Sequence, residues 1–363
     1  MSHFTDYFQS IPDPRIDRTK LHLLEDIIGL TVIAAICGAE SWEAIAEFGR
    51  MKEDFLRTIL SLPNGIASHD TIERVFKRMQ PEKFEECFIA WTNALFKKIG
   101  DEIISIDGKT LRGSQDKKNG KSAIHMVSAW ANTNRLVLGQ IKTEEKSNEI
   151  TAIPKLLEVL EVEGSIITID AMGCQKEIAK KIKDKNADYI LGLKGNQGYL
   201  KEQVESLFTQ RKPDDVSEQI EKDHGRIETR KCSVINNLEW LEAKEDWAGL
   251  QSVVKIEAHR EINDKVTKEI RYYISSLNKK STFMQIGIRN HWGIENSQHW
   301  VLDMAFREDE NRKRKDNAAE NFAIVRRIAF NMLKRDGSTR MGIQNRRLMA
   351  AWSNEYLLKI LKN

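Results

Sequence analysis

Ile103-Ile104-Ser105-Ile106-Asp107 and Ile166-Ile167-Thr168-Ile169-Asp170 are the two stretches that decide the fold of this chain. Each is a β-branched apolar run, as expected of a strand buried on both faces of a mainly parallel sheet. Each closes on an aspartate followed by a small residue, Gly108 or Ala171. Side chains alternate along a strand, so Asp107 shares a face with Ser105, and Asp170 with Thr168. Ligands of open α/β sheets collect outside the carboxyl ends of the strands. Two acids there, on neighbouring strands, form a carboxylate pair suited to divalent metal and point to metal-dependent phosphoryl transfer.

Outward from this pair the hydrophobic period changes. Residues 1–100 read as all-helical, with helices expected at 21–37, 41–47, 53–61, 70–79 and 82–98. In the fourth, Ile72, Val75, Phe76 and Met79 make one apolar face, opposite Arg74, Lys77 and Arg78. That pattern suits a bundle helix with a solvated basic face first, and a helix-turn-helix DNA reader second. Residues 101–200 continue with a polar loop at 113–120, a hairpin of strands 125–131 and 136–141, and a helix from Ser147 to about Leu160. The second acidic strand, a helix at 175–184 and a strand at 189–193 follow. The order β-β-β-α-β-α-β is an antiparallel hairpin leading into βαβ units, an α/β class. Residues 201–280 are highly charged, with strands expected at 232–235, 252–257 and 269–275, and read as an inserted β-rich subdomain. Helix returns in the last segment, 281–363, at 281–302 and 317–334.

Composition narrows the class. The 363 residues are 40% hydrophobic and 31% charged, with a net charge of only +3, so a nucleic-acid partner depends on where the charge sits. Cys37, Cys87, Cys174 and Cys232 are scattered without a C-x-x-C pair, which argues against a disulfide scaffold and suits a reducing compartment. The first residues show no signal-peptide pattern, and the longest apolar stretch, 27–37, is too short for a membrane span. A cytoplasmic, membrane-free protein is expected. Between Arg307 and Arg347 stand 12 Lys/Arg against 6 Asp/Glu, a local excess of +6. Within it, Arg312-Lys313-Arg314-Lys315 reads as a phosphate-backbone contact, or as a solvated loop.

Asp107-Gly108-Lys109-Thr110 is not a P-loop, because that motif needs glycine where Ile103 stands. What remains is a strand-end acid beside Lys109 and Arg112, two candidate phosphate contacts. A third acid is Glu295, in Arg289-Asn290-His291-Trp292-Gly293-Ile294-Glu295-Asn296-Ser297-Gln298-His299. On a helix, His291, Glu295 and His299 share one face, a weak zinc pattern that lacks H-E-x-x-H spacing. Glu295 reads better as the third carboxylate of a magnesium site, with Asp303 as a fallback. Two metals about 4 Å apart would bind both oxygens of an in-line displacement if Asp107 bridged them. Trp292 and Trp300 suit core packing as well as base stacking.

Four motifs in order resemble a bacterial insertion-sequence transposase of the DDE type, in the H-repeat-associated subgroup. They are Ile104-Ser105-Ile106-Asp107-Gly108-Lys109-Thr110-Leu111-Arg112, Thr168-Ile169-Asp170-Ala171-Met172-Gly173, Leu193-Lys194-Gly195-Asn196-Gln197 and His291-Trp292-Gly293-Ile294-Glu295-Asn296. The resemblance spans essentially the whole chain. It implies a ribonuclease H-like catalytic core with a β-rich insertion, preceded by a helical N-terminal domain. It implies Asp107, Asp170 and Glu295 as catalytic acids and metal ligands, with Mg²⁺ or Mn²⁺ as cofactor. Lys109, Arg112, Lys194, His291 and Arg226, the last within His224-Gly225-Arg226-Ile227-Glu228, would contact DNA. Partners implied are element terminal inverted repeats and target DNA, met as a homodimer on paired ends at the bacterial nucleoid. Where better-known relatives carry tyrosine, arginine and lysine around the glutamate, this chain has Ile288, His291 and Leu302, so a hairpin pathway is not implied. A nuclease of the same fold that does not transpose, and an inactive DNA-binding relative, remain alternative readings.

Overall fold

The structure, a computed structural model, describes residues 4–97, 100–116, 119–143, 149–223, 226–262 and 265–362. Helices α1 (Leu24–Ile36), α2 (Trp42–Met51), α3 (Glu53–Leu56), α4 (His69–Arg78) and α5 (Pro81–Leu95) come first. Strands β1 (Ile103–Leu111), β2 (Ile124–Ala131) and β3 (Leu136–Lys142) follow, then α6 (Glu149–Val159), β4 (Ile166–Ile169), α7 (Lys176–Asp184) and β5 (Asp188–Leu193). Next are α8 (Gly198–Gln210), β6 (Asp215–Asp223), β7 (Arg226–Ile235), β8 (Ser252–Ile262) and β9 (Lys265–Ser275). The chain ends in α9 (Ser281–Ile294), α10 (Trp300–Phe306), α11 (Ala318–Arg335), α12 (Ile343–Trp352) and α13 (Asn354–Lys362). The expected helix ends at Lys98 and Ser147, and the motif residues His224 and Gly225, lie outside the described residues.

Local chemistry explains where the early helices start. Ser41 and Ser68 accept from the third amide beyond them, Ala44 and Thr71, and Pro81 opens α5 where a missing N–H is harmless. Helix α1 is apolar almost all round and is buried on nearly every side, packed against α11. Phe76 of α4 stacks on Trp42, and Asn321 of α11 donates to the carbonyls of Phe76 and Met79. Glu40 accepts from both Arg326 and Arg347. The first hundred residues and the last helices therefore share one core rather than sitting apart.

One sheet runs through the whole molecule, in the order β3-β2-β1-β4-β5-β9-β8-β7-β6. Its first five strands are the ribonuclease H-like arrangement, with β3, β1, β4 and β5 running one way and β2 antiparallel between β3 and β1. The two sequence echoes lie side by side in register, from Ile103 opposite Ile166 to Ile106 opposite Ile169. Asp107 and Asp170 each follow by one residue.

Three expectations change. Strand β1 does not stop at Asp107 but runs to Leu111, because β2 pairs with it that far while β4 ends at Ile169. Asp107 thus sits where one side of its strand loses its neighbour, and Lys109 stands in the strand rather than in a loop. The β-rich insertion expected over 201–280 is present and continues the main sheet: β9 pairs with β5, from Ile190 opposite Ser275 to Leu193 opposite Tyr272. Their residues Cys232, Val234 and Val254 share a core with Ile103, Ile166, Ile190 and Met284. Finally, the helix expected over 281–302 is interrupted by a π-turn at Glu295–His299.

Candidate active site

A row of hydroxyls fixes the late helix to the acidic strands. Thr168 Oγ1 donates to Ser105 Oγ at 3.1 Å, and Ser105 donates in turn to the Asn290 carbonyl at 3.2 Å. Asn132 donates to Ser105 at 2.9 Å, and His291 Nδ1 lies 3.2 Å from Thr168 Oγ1. Gly293 lets α9 come this close, since a Cβ there would meet Asn132 Oδ1 at 2.3 Å. Glu295, one turn beyond His291, is thereby carried to the end of the sheet where Asp107 and Asp170 stand. All three acids line one cavity of about 350 Å³, with Lys194, Arg271 and Trp292 on its walls.

The acids repel one another. Burial pushes the Asp107 carboxyl up to about 7, helped by the negative charges of Glu149, Asp170 and Glu295. Burial also raises Glu295, with Arg271 opposing and Asp170 reinforcing the shift. Asp170 is oriented locally, its Oδ1 accepting from the amides of Met172 at 2.9 Å and Gly173 at 3.4 Å. His291 is pushed down by burial, so it meets the cavity as a neutral ring. Folding raises the Asp107 pKa, so the cation-free fold holds a proton that the unfolded chain has lost at neutral pH. Stability from this group is therefore present at mildly acidic pH and lost as pH rises through about 7. In chelator, the melting temperature of the protein should fall across that interval, and less so in Asp107→Asn. Equal slopes in the two proteins would remove Asp107 as the source.

The π-turn shapes the other side. It adds a residue to the helix, as such turns do at functional sites, and directs Gln298 and His299 inward. His299 Nδ1 lies 3.6 Å from Asp107 Oδ2, too far for a hydrogen bond, and burial pushes its pKa to about 3. The face that His291 and His299 would share on a regular helix is therefore split: His291 turns to Thr168 while His299 packs behind Asp107. Among the described residues no three His, Cys, Asp or Glu stand close enough to hold a metal ion as arranged.

On the opposite face of β1, His125 Nε2 and Glu149 Oε1 are 2.9 Å apart, and His125 Nδ1 is 2.9 Å from Thr110 Oγ1. A Cβ at Gly108 would lie 2.0 Å from Glu149 and 2.4 Å from His125. Gly108→Ala should therefore cost about 1–3 kcal/mol by overpacking, read as a lower denaturation midpoint at unchanged slope. A midpoint within error of wild type would show that the pair yields freely.

The basic residues expected to touch DNA divide into free and committed ones. Lys109 is buried, with Nζ 2.7 Å from Asp303, 3.0 Å from Asp309 and 3.7 Å from Glu308. Three carboxylates surround it because strand β1 carries it under α10, so it is not placed as a phosphate contact. Asp303, the fallback ligand, is tied to Lys109 instead. Lys313 also fails as an outward charge: its ammonium lies 3.9 Å from the Phe322 ring centroid and 4.6 Å from that of Trp42, and it donates to the Glu40 carbonyl. Arg314 donates to the Gly113 carbonyl, and Lys77 pairs with Glu73. Arg74, Arg78, Arg312, Lys315 and Lys194 are exposed. Arg112 is exposed too, though within 3.5 Å of Asp309, and Arg226 leans on Glu228 at 3.6 Å. Sequence reasoning missed Arg271 and Glu269, whose place beside Glu295 follows only from the β5–β9 pairing.

A ribonuclease H-like sheet with acids on adjacent parallel strands and a third on a late helix defines the DDE class. Similarity to known proteins shows the family. The family described as "Transposase DDE domain" matches residues 98–332, and "DDE_Tnp_1-associated" matches residues 5–92. The H repeat-associated putative transposase YhhI of Escherichia coli K12 is 43% identical, over 98% of this chain and 97% of its own length. A putative transposase YncI of Escherichia coli O157:H7 is also 43% identical, over 98% and 93%. A shorter relative, named inactive transposase YbfQ, is 44% identical over 19% of this chain and 83% of its own. A solved structure of a piggyBac transposase synaptic complex with hairpin DNA aligns at TM-score 0.45 and 13% identity, over 99% of this chain and 78% of that one. The chain belongs to the DDE transposase family, in its H-repeat-associated group.

Proposed function

We propose that this chain cleaves one DNA strand at the ends of an insertion element and joins the freed 3′-hydroxyl to target DNA. The observation that carries the reading is the convergence of Asp107, Asp170 and Glu295 in one cavity, mutually repelling and walled by positive charge. Three carboxylates are a hard oxygen donor set, which fits Mg²⁺ or Mn²⁺. Such a cation, when bound, would stabilise the charge that develops on the attacking and leaving oxygens at phosphorus. Asp107 and Asp170 would hold it from the sheet and Glu295 from the helix. Lys194 at the rim and Arg271 in the wall would orient the phosphodiester. Hydrolysis adds water across the P–O3′ bond and leaves a 3′-hydroxyl and a 5′-phosphate. In the joining step that hydroxyl attacks a target phosphodiester and displaces its 3′-oxygen. Exposed Arg74, Arg78, Arg312 and Lys315 would contact duplex backbone, with two copies on paired inverted repeats.

One observation favours a second reading, a DNA binder that no longer cuts; a nuclease that cuts without joining is a further outcome of the same test. The carboxylates stand open, with no three potential ligands close enough for an ion among the described residues. A relative named as inactive lends that reading support. Paired element-end duplexes incubated with Mg²⁺ separate the three outcomes. Nicks at the ends followed by joined products support the transposase; nicks alone support the nuclease. Binding without nicks leaves the inactive relative.

A further inference from the structure

The sheet has two edges, β3 and β6, and they are treated differently. At β3 the outward backbone groups are taken up by helices. Asn331 of α11 accepts from the Val137 N–H and donates to the Val137 carbonyl. From α5, Thr92 donates to the Leu138 carbonyl and Glu85 accepts from the Gln140 N–H. At β6 the edge is open: among the described residues, no hydrogen bond reaches its backbone from any element but β7. The strand pairs with β7 in regular register along its whole length and contains no proline, so neither of two common blocks to edge pairing is present. An open edge of this length is a template for one more strand.

The side chains of β6 select that strand. Asp215, Ser217 and Glu221 face α9, where they meet Ser281, Gln285 and Arg289. Val216, Glu218, Ile220 and Lys222 lie on the other face and are all exposed. Ile220 is 61% exposed and sits diagonal to Ile227 of β7, itself 38% exposed and directly opposite Lys222. A second copy of β6 can add antiparallel about a two-fold axis perpendicular to the sheet, which keeps like faces together. With the axis at Ile220, that residue opposes itself and Glu218 opposes Lys222 on both sides. An axis at Glu218, Glu221 or Lys222 sets like charges against each other, and one at Gln219 sets Lys222 against Val216.

We propose that two copies of this chain join edge to edge through β6, antiparallel and centred on Ile220, so that one sheet runs through both. Two unlike-charge pairs then flank an apolar stripe made by Ile220 and Ile227 of each copy. The contact needs neither DNA nor a divalent ion, and it stands apart from the DNA-processing reading of the acidic cavity.

The test is sedimentation velocity on the full chain without DNA, across the micromolar range, where a concentration-dependent dimer is expected. Glu218→Lys opposes lysine with lysine at both pairs, and Lys222→Glu opposes glutamate with glutamate. Each should weaken the dimer by at least about tenfold. Glu218 also faces Lys231 within its own copy, so the deciding arm is one that a local disturbance cannot rescue. An equimolar mixture of the two variants should recover the dimer, because unlike copies again present opposite charges. Ile220→Cys should cross-link under mild oxidation beyond the wild-type background, since opposed residues of paired strands lie within disulfide reach, and Val216→Cys should not. A wild-type monomer at every concentration, single exchanges that leave the dimer intact, or a mixture that stays monomeric would overturn the proposal. Absence of end cleavage in Mg²⁺ would count against the catalytic reading alone.

Discussion

Asp107→Asn is expected to reduce cleavage of element-end DNA by at least about a thousandfold while leaving duplex binding in place. The change keeps the size and the backbone of the residue, and it removes one anionic oxygen from the centre of the acid group. Burial raises the Asp107 pKa, and the charges of Glu149, Asp170 and Glu295 raise it further. A cation that binds the trio must displace a proton here, and an amide carries no negative charge to hold the cation. The same substitution should raise the melting temperature in chelator above neutral pH, because it removes a charge that burial first, and the neighbouring acids second, make unfavourable in the fold by on the order of a few kcal/mol. Loss of activity with gain of stability separates a catalytic acid from a structural one. Asp303→Asn is the contrasting case. Its carboxylate is bound to Lys109 at 2.7 Å, so cleavage should stay within about tenfold of wild type. Full cleavage by Asp107→Asn, or loss of a thousandfold in Asp303→Asn, would exchange their assigned roles.

Much of this arrangement was legible because it is written in local repeats. The Ile-Ile-x-Ile-Asp echo told of two like strands, and their pairing in register follows from the same side-chain pattern. The apolar face of Ile72, Val75 and Phe76 was equally plain, and it packs as expected. Contacts between remote segments were not legible. Nothing near Lys109 in the chain announces Asp303, Glu308 or Asp309, nearly two hundred residues on. A basic run such as 312–315 looks uniform in sequence, yet Lys313 turns to Trp42 and Phe322 while Arg312 stays outside. The charged strands 201–280 looked like a separate unit because their outer ends are polar. Their inner ends complete the sheet, and this placed Arg271 beside Glu295.

The largest structural effect should come from Lys109→Met, with a loss of about 3 kcal/mol or more in folding stability. Lys109 is buried at the point where β1, α10 and the turn after α10 meet. Its ammonium neutralises Asp303 and Asp309 directly, and Glu308 at longer range. Burial works against the charge on Glu308, but Arg327 and then Lys109 hold the carboxylate below its ordinary range. Methionine fills the volume of the stem and leaves the carboxylates facing each other without their cation. Breaking a buried ion pair from one side costs more than the pair contributes, because the remaining charge keeps its desolvation penalty. Asp303 and Asp309 are partly exposed and can recover some hydration, which places the expected loss at the low end of the range for buried pairs. Adding Asp303→Asn to Lys109→Met should then restore part of the stability, a coupling that a double-mutant cycle in urea measures directly. A loss below about 1 kcal/mol would mean that the cluster behaves as a solvated surface pair. In that case Lys109 would be free to leave its carboxylates for a phosphate, the role its place beside Asp107 first suggested.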